Sequence, residues 1–206
     1  MFALSLTLLI VSLEIPANYG ELVDAFRQLP VFAVCFALLA MCWYYHYLYH
    51  RRYGLEDFGT HLLNWALLFA VLFYVYPLKF LFTLLFEMWF GIEATIRQPA
   101  AAEWPTVMLL YSGGIVAIFG IFSMMNRRAL LLANQLELDE MEIVQTRGAM
   151  HAHLFSAGLG VVSMAIALFT PRWFPFAGAV YMLMGPLHAI HGFRIGRKVE
   201  RLAAGR

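Results

Sequence analysis

Five apolar stretches of membrane-crossing length, joined by short polar connectors, dominate this sequence. They run from about Leu29 to Tyr49, Leu62 to Phe86, Pro105 to Met125, Ala149 to Thr170 and Phe174 to Phe193. Each holds the roughly 20 residues that a helix needs to cross a bilayer core of about 30 Å. A shorter apolar run opens the chain and stops at Glu14 and Pro16. At about 13 residues it would span roughly 20 Å as a helix. Of the 206 residues, 62% are hydrophobic and 13% charged, where an average soluble domain carries about 25% charged residues. That balance implies an integral membrane protein. Its spans are helices, because lipid offers unpaired backbone groups no partner. The expected fold is all-α and polytopic, with six transmembrane helices of which the first is shortened. No linker, internal repeat or second soluble domain divides it, so residues 1–206 read as one domain.

The opening run lacks the basic leader and small-residue cleavage site of a signal peptide, since the first basic residue is Arg27. Charge placement supports reading it as a span. With six spans, alternate loops put Arg51, Arg52, Arg127, Arg128, Arg147, Arg194, Arg197, Lys198, Arg201 and Arg206 on one side. Arg27, Arg97 and Arg172 fall on the other. Ten against three orients the chain with both termini in the cytoplasm. A net charge of +1 points to no nucleic-acid partner. Cys35 and Cys42, seven apart in one apolar run, read as buried thiols. The segment Asn126–Arg147 reads either as a helical extension joining two spans or as a solvated connector. Trp89, Phe90 and Trp104 with Glu93 and Arg97 suit the outer interface.

Chemistry-bearing residues are few. His46 and His50 share a helix face, His188 and His191 lie three apart, and His151 and His153 two apart. A haem or metal redox enzyme built on His46, His50, His188 and His191 is one reading. Against it, the chain has no HExxH, no Glu-x-x-His and no CxxC, so no metal or cofactor is expected. Ser112-Gly113-Gly114 suits close helix packing, and Asn64, in the third run, calls for a hydrogen bond to a neighbouring helix. Lys79 can snorkel to the outer surface. In the opening run, Leu4, Leu8 and Val11 form one stripe at i, i+4 and i+7, bordered by Thr7, with Ser5 and Ser12 on a second, polar stripe. The stripe fits ordinary bundle packing. It also fits a pore-lining helix whose apolar rings gate by dewetting.

The stretch Phe2-Ala-Leu-Ser-Leu-Thr-Leu-Leu-Ile-Val-Ser-Leu-Glu-Ile-Pro16, with Trp43-Tyr-Tyr-His46, Asp57, Leu63-Asn64 and Pro77 following at matching spacing, resembles the transmembrane protein 175 family of lysosomal and bacterial potassium channels. The second half is similar in span layout, in Tyr111 and in the Asn126-Arg127-Arg128 turn. The resemblance implies a homo-tetramer of six-helix subunits in a bacterial-type plasma membrane. It also implies a central pore, lined by the first helices, that conducts potassium ions with modest selectivity. Carried onto this chain, the family's constrictions fall at Leu4, Leu8 and Val11, with Thr7 as the hydroxyl neighbour. The family signature Arg-x-x-x-Phe-Ser-Asp precedes the matched stretch, and this sequence starts after it. Its implied docking partners are present as Trp43, His46 and Asn64. A shortened start of the chain is therefore expected, with a non-conducting homologue as the alternative.

Overall fold

Caps and breakers decide where each helix starts and stops. The structure, a computed structural model, describes residues 17–91, 97–170, 172 and 174–204, and the regular structure among them is helical. A short surface helix, α1 (Tyr19–Arg27), begins at Asn18, whose side chain accepts from the Glu21 N–H. It occupies a connector in which the sequence indicated no element. α2 (Leu29–Tyr53) carries a proline in its first turn, where no intrahelical donor is lost, and ends at Gly54 with φ 57°. That left-handed stop favours glycine. α3 (Phe58–Phe90) is capped by Asp57, which accepts from the Gly59 and Thr60 N–H groups, and ends at a second left-handed glycine, Gly91.

Two long helices follow. α4 (Trp104–Leu131) again has proline in the first turn. α5 (Glu140–Phe169) starts with a capping box in which Asp139 and Glu142 satisfy each other's backbone N–H. Both helices extend into the Asn126–Arg147 segment, leaving a turn between them. α2, α3, α4 and α5 are long and apolar enough to cross a membrane. With 33 residues, α3 is about 50 Å long, well beyond the roughly 30 Å hydrocarbon core.

The last apolar run does not form one uninterrupted α-helix. It is divided into α6 (Phe174–Ala179), a 3₁₀ turn (Val180–Leu183) and the start of α7 (Met184–Ala204). Pro186 supplies a reason: proline fits the first turn of a helix and not its interior, so a new helix starts just ahead of it.

Stripes at helical spacing build the core. α2 contributes Val31, Cys35, Leu39 and Cys42, α3 contributes Leu67, Val71, Val75 and Leu78, and α4 contributes Ile118, Ile121, Phe122 and Met125. Cys35 and Cys42 carry free, buried thiols. The most extensive helix pair is α4 with α5. Gly160 on α5 lets the backbones close: a Cβ there would sit 2.8 Å from Val116 Cγ2 and 3.2 Å from the Ser112 carbonyl oxygen. Beside it runs a chain of hydroxyls. Tyr181 donates to Ser112 Oγ at 2.9 Å, Ser112 to Ser163 Oγ at 2.8 Å, and Ser163 to the Ala177 carbonyl at 2.8 Å. Four elements are thereby joined. A second brace ties α3 to α4 near Pro77: Tyr74 donates to the Tyr111 carbonyl at 3.0 Å, and Tyr111 to the Pro77 carbonyl.

Gly160→Leu should therefore destabilise the purified protein in detergent by about 1–3 kcal/mol, the usual range for overpacking. Gly158→Leu, at an exposed position with open space around it, should stay within about 0.5 kcal/mol of the parent. Thermal unfolding of the two variants side by side checks this. Equal losses would show that the close α4–α5 approach is not what Gly160 provides.

Candidate functional site

The polar groups of α2 and α3 meet where their buried stripes meet. Asn64 lies four residues after Thr60 on the inward stripe of α3, and both are buried. Its amide oxygen lies 3.1 Å from His50 Nε2. Because an amide oxygen only accepts, the imidazole donates. The His46 ring lies 4.4 Å from the His50 ring, centroid to centroid. The structure thus gathers His46, His50 and Asn64 into one cluster. Trp43, one turn earlier on α2, is exposed and stacks on Tyr47 with centroids 5.7 Å apart. The four-residue spacing of His46 and His50 puts both on the face that meets Asn64. Leu4, Thr7, Leu8 and Val11 lie outside the described residues.

Just beyond this cluster the helix ends are tied by charge and hydroxyl contacts. Asp57 bonds the Thr60 hydroxyl at 2.7 Å and forms an ion pair with Arg128 at the end of α4. A Cβ on Gly59 would collide with the Arg128 guanidinium, so glycine there makes room for the pair. Arg52 donates to Gln145 at 2.7 Å, and Tyr53 Oη lies 2.7 Å from Thr146 Oγ1, which donates on to the Glu142 carbonyl. These contacts link α2, α3, α4 and α5 at one end of the bundle. Local sequence signalled only part of this, through the Asp57 cap; Arg128 is 71 residues away, and only folding brings it near.

His153, His188 and His191 are engaged in helix packing. His153 is buried among Tyr45, Phe119 and Phe122. His188 Nε2 lies 2.8 Å from Ser156 Oγ, and His191 Nε2 donates to the Gly148 carbonyl at 2.8 Å. Among the described residues, no three His, Cys, Asp or Glu side chains come together as metal ligands. His188 and His191 bond to α5 and His50 to Asn64 on α3, so each of these three histidines makes a contact between helices.

Comparison with known proteins extends these observations. Residues 1–77 match a family model described as endosomal/lysosomal potassium channel TMEM175. A relative from Marivirga tractuosa, described as a potassium channel, is 36% identical over 214 residues, covering 98% of this chain and 86% of the relative. Among solved structures, a variant of the potassium channel MtTMEM175, crystallised with a nanobody–MBP fusion protein, is similar with a TM-score of 0.85 and 36% identity. The likeness covers 96% of this chain and 89% of that one.

The Arg128 guanidinium, with the Thr60 hydroxyl after it, holds the Asp57 carboxyl well below the usual carboxylate range. A depressed carboxyl stabilises the fold in full above its unfolded pKa near 4, and that stability is lost as pH falls through the folded value. Asp57→Asn keeps an equivalent helix cap but removes the charge. The variant should melt slightly below the parent at pH 7, the gap being modest because both partners are about one-third exposed. The gap should narrow as pH drops below about 4. A gap that stays constant down to about pH 2 would show that the ion pair is not its source.

Proposed function

Because this chain belongs to the endosomal/lysosomal potassium channel TMEM175 family, we propose that it conducts potassium passively across a bacterial-type plasma membrane, as a leak with modest selectivity. Its family is one of channels, not enzymes. The observation that carries the reading is the likeness to potassium channels over nearly the full chain, 36% identity across 98% of its length, joined to four apolar helices of membrane-crossing length.

The opening run and the α6–α7 segment complete a six-span topology around α2 to α5, as one domain with both termini in the cytoplasm. Four copies surround the conduction path. The opening run lines it, with Leu4, Leu8 and Val11 as apolar constrictions that control hydration of the path and Thr7 as a neighbouring hydroxyl. Trp43, His46 and Asn64, with His50 beside them, form the surface on which that run docks. Support for the docking surface comes from the polar cluster on α2 and α3. There a buried amide 3.1 Å from His50 Nε2, with the His46 ring 4.4 Å from that of His50, sets polar groups amid apolar helices, which suits polar contact from another segment.

Purified protein in liposomes should pass potassium down its gradient without an energy source, read as dye-reported flux or single-channel current. Silence in both would sink the channel reading. Leu4→Ala and Leu8→Ala should each raise conductance by widening an apolar ring; unchanged currents in both would move the constriction to another segment. Asn64→Leu should lower thermal stability by about 1–3 kcal/mol, the cost of stranding a buried polar partner, and a parent-like melting curve would mean that His50 has another acceptor.

A further inference from the structure

One exposed face of α7 changes character half way along. It reads Leu187, Ile190, Arg194, Arg197, Lys198 and Arg201, spaced i, i+3, i+7, i+10, i+11 and i+14, and every one of these residues is exposed. The face is apolar up to Ile190 and cationic from Arg194 onward. The inward face, Met184, His188, His191 and Ile195, is half-buried. Glu200, the one carboxylate of α7, lies off the cationic stripe.

The level of that switch is set independently by the neighbouring helices. α7 runs antiparallel to α5: His188 meets Ser156, His191 donates to the Gly148 carbonyl, and Ile195 packs where a Gly148 Cβ would stand. Gly148 is also where α5 passes from the polar segment Glu140–Arg147 to the apolar run beginning at Ala149. α2 reaches the same level through Arg52 on Gln145 and Tyr53 on Thr146. In the topology proposed above, this level is the edge of the hydrocarbon, and α7 crosses it where its exposed face becomes basic. From Arg194 to Arg201 the helix rises about 10 Å, enough to traverse a headgroup layer of roughly 5–8 Å per leaflet. Arg197 is steadied over the Phe193 ring, 5.4 Å from its centroid.

We propose that this stripe is a binding surface for anionic phospholipids, with Arg194, Arg197, Lys198 and Arg201 on the headgroup phosphates and Leu187 and Ile190 against the acyl chains. Guanidinium groups pair with phosphate oxygens in two-point fashion, and a row of four cations with no acid on the stripe complements a negative leaflet surface. The inference rests on the membrane topology proposed above but not on conduction.

The test follows thermal unfolding of the full-length protein in detergent as phosphatidylglycerol or phosphatidylcholine is added. Phosphatidylglycerol should stabilise at a concentration about tenfold or more below that of phosphatidylcholine. The preference should vanish when Arg194, Arg197, Lys198 and Arg201 are all changed to Gln, and persist when the three arginines are changed to Lys. Independently of any variant, raising salt from about 0.1 M to 1 M shortens the screening length from about 10 Å to 3 Å and should erase the preference in the parent protein. A preference that survives high salt, or survives in the four-Gln variant, overturns the proposal, as does equal stabilisation by the two lipids. Stabilisation by soluble glycerol phosphate matching that by phosphatidylglycerol would identify a small-anion site instead and overturn it too. Potassium flux is read separately: loss of flux with the lipid preference intact would count against the channel reading alone.

Discussion

Between apolar helices in lipid there is no hydrophobic gain from contact, because the acyl chains are as apolar as the side chains they would replace. Helix association then depends on close packing and on hydrogen bonds that have no water to compete with them. The chain Tyr181–Ser112–Ser163–Ala177 supplies such bonds where α4, α5, α6 and the 3₁₀ turn meet. Every hydroxyl in it donates once, and Ser112 and Ser163 each accept once as well, so no buried oxygen is left to be solvated. Gly160 brings α4 and α5 close enough for the Ser112–Ser163 bond to form. The orientation of α6 and the 3₁₀ turn, and through them the start of α7, depends on this junction.

A second tier of polar contacts lies at one end of the bundle. Asp57–Arg128, Arg52–Gln145 and Tyr53–Thr146 tie the termini of four helices together. Tyr53 and Thr146 are buried, whereas Asp57, Arg128, Arg52 and Gln145 keep access to water, so their pairing adds modestly to stability and chiefly sets the relative height of the helices. Residues of the same tier on α7 are left facing outward. That contrast, charges paired between helices against four exposed cations on one outward stripe, sets the proposed lipid surface of α7 apart from the rest of the basic end.

The cluster of His46, His50 and Asn64 lies next to that tier, between α2 and α3, and is the proposed docking surface of the opening run. A buried amide amid apolar side chains must be bonded, and His50 meets that need. In a channel whose conduction path is lined by the opening run, polar anchoring on α2 and α3 would hold the lining helix at a defined height, which apolar packing alone specifies weakly. His50, His188 and His191 are bonded to Asn64, Ser156 and the Gly148 carbonyl, each a contact between helices, and the family of this chain is one of channels, not of redox enzymes.

Much of the architecture is local and therefore legible in one dimension. Runs of about 20 apolar residues specify helices because only a helix satisfies the backbone of a lipid-embedded segment within that segment. Asp57 and the Asp139–Glu142 pair mark helix starts, and Gly54 and Gly91 mark stops, through contacts within a few residues. Membership of the potassium channel family was likewise readable in the opening stretch and in Trp43, His46 and Asn64. Tertiary structure decided the rest. The choice of His50 as the partner of Asn64, the pairing of Asp57 with Arg128, and the hydroxyl chain through Ser112 all join residues far apart in sequence. Nothing in local periodicity selects among the several candidates for each bond. The division of the last apolar run into α6, a 3₁₀ turn and α7 also needed the fold, since hydropathy records burial from water and is blind to a break that Pro186 and the Ser163–Ala177 bond impose. What the sequence by itself determined was which segments leave water; which polar atoms then meet was decided by the helix crossings, because in a dry interior each donor must find an acceptor wherever the packing puts one.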